Sequence, residues 1–106
     1  MIKNRPRRIR SDSFSRRLIR ENKLSVSDLI YPMFVMEGEN LRNSVDAMPG
    51  IFRLSIDELI CDATKCFELG IPAIALFPVI SKEKKSLDAS ESYNINGLIP
   101  RAVKAL

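Results

Sequence analysis

The chain has no histidine, only two cysteines, and no uninterrupted apolar run near the roughly 18 residues that a membrane-spanning helix requires. Cys61 and Cys66 lie five positions apart in one helix-like segment. That spacing fits neither a metal-ligand pair nor a redox Cys-x-x-Cys motif, and no histidine is available to complete a site, so both read as reduced, partly buried fillers. The N-terminus opens on arginines without the apolar stretch of a secretory signal. Neither membrane insertion nor secretion is signalled, and a cytoplasmic location is the expectation.

What is present is a chain of 106 residues, 45% hydrophobic, within the size range of a single domain. Its net charge of +4 hides an asymmetry. Residues 1–23 carry nine Lys or Arg against two acids, a balance of +7, whereas residues 24–106 carry eight against eleven, a balance of −3. The basic segment has Phe14, Leu18 and Ile19 as its main apolar anchors. It cannot form a core of its own, because its apolar groups are few and its like charges repel. Residues 1–28 are therefore expected to be an extended arm, with one short helical turn, that needs a surface to lie on.

The body, residues 29–106, alternates strand and helix signals. Leu29 to Val35 is a continuous apolar run, as in a strand buried on both faces, although Pro32 requires a bulge, an edge position or regular pairing that begins later. Met36 to Phe52 reads as a long irregular loop with a Pro49-Gly50 turn signal, either a functional loop or a surface excursion. Ser55-Ile56-Asp57-Glu58 has the form of a capping box, with Leu54 and Leu59 as its hydrophobic staple. Leu59, Ile60, Ala63, Cys66 and Phe67 then form one apolar stripe, and Gly70 with Pro72 supplies the stop, which predicts a helix over 55–69. Ala73 to Ile80 reads as a second parallel strand covered on both sides. After a polar loop over 81–96, Leu98, Ile99, Ala102, Val103 and Leu106 return to helical spacing, with Pro100 tolerable only in the first turn.

Strand, helix, strand, helix is an incomplete inventory for an α/β protein. Two parallel strands leave two open edges and too little sheet for both helices. A TIM (β/α)8 barrel takes about 250 residues, so this order suits its opening quarter or a little more. The apolar stripe reaches Leu106 without a stop signal, and the expectation is a truncated barrel.

Several separated motifs carry a resemblance: Arg5-Pro-Arg-Arg, Asp28-Leu-Ile-Tyr-Pro32, Phe34-Val-Met-Glu-Gly38, Met48-Pro-Gly50, Arg53-Leu-Ser55 and Leu76-Phe-Pro-Val79. Ser92-Tyr-Asn94, Gly97-Leu and Arg101-Ala continue it. In order and spacing the chain resembles the porphobilinogen synthase (5-aminolevulinate dehydratase) family along essentially its whole length. The resemblance implies a TIM barrel whose N-terminal arm wraps a neighbouring subunit in dimers and commonly octamers. It implies a lyase that condenses two molecules of 5-aminolevulinate, losing water, to give porphobilinogen for haem and other tetrapyrroles, with zinc or magnesium required in many members. The two lysines that form Schiff bases with substrate are expected beyond Leu106, as is the cysteine-rich segment that binds zinc in some members. No catalytic or metal-binding residue is therefore expected within this chain, which by itself is expected to be inactive. Phe77, at the carboxyl end of the second strand, matches a position that lines the substrate pocket; it reads equally well as a core aromatic.

Other assignments compete. Lys82, Lys84 and Lys85 follow a barrel strand, where a Schiff-base lysine is attractive, but they alternate with Glu83 in a polar loop and read as hydrated and protonated. Arg7, Arg8 and Arg10 could neutralise nucleic-acid phosphates, yet no nucleic-acid-binding module accompanies them. An inactive remnant that docks its arm or strand edge onto an intact subunit is a further alternative.

Overall fold

The computed structural model describes residues 7–106; Arg5, Pro6 and the rest of the arm's first six residues lie outside the described part. The arm begins with a 3-10 turn at Arg8–Arg10 and a short helix, α1, at Ser13–Leu18. Arg16 folds back along it, its Nη1 donating to the Arg10 and Ser11 carbonyls at 3.1 and 3.0 Å. The anchors do not reach a core: Phe14 and Leu18 stay exposed. The molecule is correspondingly long, with a radius of gyration of 21.3 Å, against about 13 Å for a compact chain of this length.

The body holds one sheet of four strands in the order β2-β3-β1-β4. These are β1 at Ile30–Met36, β2 at Arg42–Ser44, β3 at Phe52–Leu54 and β4 at Ala73–Val79. Two helices complete it, α2 at Ile56–Glu68 and α3 at Leu98–Ala105. β1 pairs in parallel with β4 along its whole length, from Ile30 opposite Ala73 to Met36 opposite Val79. On its other side β1 meets β3 only at Phe34 and Val35, so two-sided pairing begins after Pro32.

The expected irregular loop over 36–52 is corrected by the structure. β2 and β3 form an antiparallel hairpin, Arg42 opposite Leu54 and Ser44 opposite Phe52, closed by Val45 donating to the Ile51 carbonyl at 2.9 Å. The Pro49-Gly50 signal is the turn of that hairpin. Gly38, just past β1, has φ +127°, a backbone conformation that other residues rarely adopt, so glycine suits the chain's entry into the hairpin.

The predicted helix ends as its sequence requires. Gly70, at φ +79°, donates to the Phe67 carbonyl and Ile71 donates to that of Cys66, the pair of bonds that defines a Schellman motif. Its start differs from the expected capping box. The fully buried Ser55 hydroxyl accepts from the Leu41 N–H at 2.9 Å and contacts the Leu41 carbonyl at 3.3 Å, while Glu58 turns to Arg42.

The core lies on one face of the sheet. Met33, Val35, Leu54, Leu59, Leu98 and Ala102 form the buried cluster, with Ile74, Leu76 and Ala63 packed against it. Since side chains alternate along a strand, Met33 and Val35 face α2 and α3, whereas Phe34 and Met36 face the other way. Burial of Leu59, fully enclosed, contributes about 2 kcal/mol. Phe67, expected in the stripe, is 82% exposed at one margin of the helix. Two-sided cover of the second strand is also corrected: β4 is an edge strand among the described residues, only partly buried, because α2 and α3 cover a single face. Pro100 falls in the first turn of α3, after the N-cap Gly97.

Candidate functional site

In a parallel sheet flanked by helices, ligands meet the carboxyl ends of the strands, where the loops gather. Here those ends are Met36 of β1 and Val79 of β4, side by side in register. The uncovered face beside them carries Phe34 and Phe77, a cross-strand pair whose ring centroids are 5.9 Å apart with the planes tilted by 44°. Phe77 is 49% exposed and lies outside the buried cluster. The structure thus presents this aromatic side chain on an open apolar surface.

Charged groups assemble just past the strand ends. Glu37, the residue after β1, accepts a hydrogen bond from Nη2 of Arg101 on α3 at 2.5 Å. Lys84, in the 3-10 turn Lys82–Lys84 after β4, places its Nζ 3.7 Å from Oε1 of Glu37 and 3.9 Å from Oε1 of Glu91. The Arg101 hydrogen bond holds the Glu37 carboxyl below the usual glutamate range; partial burial opposes the shift, and the charges of Arg101 and Lys84 reinforce it. Glu91 sits in the second turn, Ser90–Tyr93, with Oε2 accepting from Asn94 at 3.2 Å and Oε1 buried without a hydrogen-bond donor. A hollow of about 430 Å³, lined by Pro78, Ile80, Lys84, Glu91, Leu98 and Ile99 among others, opens between this loop and α3.

Of the three lysines considered from sequence, Lys84 alone enters an ion pair among the described residues, and Lys82 and Lys85 are exposed. None lies in the desolvated setting that favours a neutral amine. Glu37 and Arg101 enter the sequence reading only as parts of the family-like motifs, with no site role and no link between them. They stand 64 positions apart, and no local pattern links such residues.

Among the described residues no group of three or more His, Cys, Asp or Glu side chains is placed to hold a metal ion. Cys61 is exposed and Cys66 buried, both free. Burial pushes the Cys66 thiol up, with the charge of Asp62 adding to the effect. The donor set of a zinc or magnesium centre is not assembled by these residues. No helix among them is long and apolar enough to cross a membrane.

The family model for delta-aminolevulinic acid dehydratase matches residues 3–106. The chain belongs to that family. It is 42% identical over 102 residues to the delta-aminolevulinic acid dehydratase of Bradyrhizobium diazoefficiens, covering 96% of this chain and 29% of the relative. With the enzyme of Synechocystis the identity is 41%, over 96% of this chain and 31% of that protein. A crystal structure of the dehydratase (porphobilinogen synthase) of Toxoplasma gondii, in complex with the reaction product porphobilinogen, superposes with a TM-score of 0.87 at 44% identity. That likeness covers 99% of this chain and 30% of the solved one. The chain thus spans about three tenths of the length of the dehydratases it matches.

Proposed function

We propose that the chain is the arm and first strand–helix units of a porphobilinogen synthase subunit, the lyase that condenses two molecules of 5-aminolevulinate. The observation that carries this reading is the 0.87 superposition, at 44% identity, on an enzyme crystallised with porphobilinogen. In the complete (β/α)8 barrel the face bearing Phe34 and Phe77 looks inward and Phe77 lines the substrate pocket, which accounts for an apolar surface that α2 and α3 leave uncovered. The Schiff-base lysines and any zinc or magnesium site belong to the family's remaining strands. The 106 residues by themselves are inactive, and the exposed apolar and basic groups of the arm serve assembly with neighbouring subunits, octameric in many members. The working location is the cytoplasm.

Two measurements test this. Purified chain given 5-aminolevulinate with zinc or magnesium should form no porphobilinogen; turnover by the chain alone would overturn the assignment of the chemistry elsewhere. Joined to the remaining sequence of the Bradyrhizobium relative, the same residues should yield an active synthase. A folded but inactive chimera would sink the reading of residues 1–106 as a working part of the barrel.

A further inference from the structure

Residues 82–96 join β4 to α3 with no helix or strand of their own beyond two 3-10 turns. Their hydrogen bonds are local: Ser86 with Asp88 and Ser90, Asn94 with Glu91, and backbone bonds that close single turns. Among the described residues one polar contact leads from this segment to a distant element, the Lys84 pair with Glu37. Meanwhile Leu87, Tyr93 and Ile95 point their apolar side chains to solvent. A loop whose apolar groups do not anchor it depends on whatever tether it has.

We infer that Glu37 is a positioning residue: held by Arg101 of α3, it fixes through Lys84 where the 82–96 loop sits over the carboxyl ends of β1 and β4. The two links differ in kind. Arg101 to Glu37 is a charge-assisted hydrogen bond with defined geometry, while Lys84 at 3.7 Å is held by Coulombic attraction without a directed bond. Neutralising Glu37 leaves Lys84 paired only with Glu91, which belongs to the same loop, so the connection to β1 disappears. Glu37, Lys84 and Arg101 are each close to half exposed. Ion pairs in such settings contribute little to global stability, so the effect should fall on the loop and spare the sheet. That the loop covers a substrate site rests on the reading of the chain as part of the synthase; the tether itself does not.

Hydrogen exchange on the full 106-residue chain tests the tether, because Lys85, Ala89, Ser92 and Asn94 each donate a backbone hydrogen bond within the loop. Glu37→Gln should speed exchange at these amides about fivefold and leave β1 and β4 unchanged. Lys84→Gln should do the same, the double variant should add nothing further, and Lys82→Gln should have no effect. Unaltered loop exchange in Glu37→Gln, equal acceleration of the β1 and β4 amides, or a parent chain without protected amides in β1 and β4 would each overturn the inference. In the active chimera, Glu37→Gln should raise KM for 5-aminolevulinate more than it lowers kcat. An inactive parent chimera counts against the synthase reading and leaves the tether to the exchange data. An active one whose KM ignores Glu37 overturns the positioning role.

Discussion

Arg42 grips Asp62 with two parallel hydrogen bonds, Nη1 to Oδ2 at 2.9 Å and Nη2 to Oδ1 at 3.0 Å. Its Nε and Nη2 also reach Oε2 of Glu58 at 3.0 and 2.8 Å, and its guanidinium lies 5.3 Å from the Phe52 ring centroid. One side chain of β2 thereby joins the hairpin to α2 and holds the Asp62 carboxyl below its ordinary range, against partial burial and with help from Lys65. Lysine cannot reproduce the planar fork. Since the three side chains remain partly exposed, Arg42→Lys should lower unfolding stability by about 1 kcal/mol or less. Urea denaturation measures it, and an unchanged midpoint would show that the pair is idle.

Ser55 should be the more sensitive position. It is fully buried and its hydroxyl takes the Leu41 N–H, so Ser55→Ala leaves that donor without its partner. The expected loss is about 1–3 kcal/mol, the cost of a buried polar group left unsatisfied. If the hydroxyl acted as a helix cap instead, Ser55→Asp would restore stability, because aspartate is an equally good N-cap. The structure calls for no such rescue.

The cysteines should separate by reactivity. Cys61 is exposed, whereas Cys66 is buried with its thiol pushed up, and it is the thiolate that reacts. A chromogenic disulfide reagent at neutral pH should titrate one thiol quickly and the second only on unfolding. Two equally fast thiols would mean that the α2 packing is wrong.

Acid should release the Glu37 contact. Its folded-state pKa is depressed, so the stabilisation is present above the unfolded value and is lost as pH falls through the still lower folded value. The exchange difference between the parent chain and Glu37→Gln should therefore hold near neutral pH and vanish below the usual glutamate range. A difference that persisted there would assign the effect to the shape of the side chain and not to its charge.

Phe77 and Leu59 should differ in what their removal costs the fold. Leu59→Ala empties a fully enclosed position, for which about 2–5 kcal/mol is expected. Phe77→Ala, at a half-exposed position, should cost well under the roughly 3–5 kcal/mol of a core phenylalanine. Thermal unfolding of the two variants compares them directly. An equal or larger loss at Phe77 would mean that its face is covered.

The parts legible in the sequence were those governed by local rules. Gly70 followed by Pro72 marks a helix stop because a left-handed residue is needed there, and the structure has one. The runs around Phe34 and Phe77 read as parallel strands because few other elements tolerate so many consecutive apolar residues. The hairpin was illegible, since Arg42-Asn43-Ser44 has no apolar alternation and each of its strands has only three residues. Ser55 and Glu58 showed a local motif, but partners on β2 and its approach, distant in sequence, won both side chains. Glu37 with Arg101 failed to announce itself for the same reason. Pairings across the fold leave no periodicity to find.

The outer edge of β4 governs how this chain behaves at high concentration. From Ala73 to Ile80 it carries no charge, and among the described residues no strand lies beside it. Natural edge strands commonly discourage intermolecular pairing with lysine, a bulge or proline. Here Pro78 is the sole interruption, the one position along β4 with no N–H to donate. Protection of that edge against stacking into fibres thus rests on a single imino acid near one end of the strand, with five uncharged residues before it.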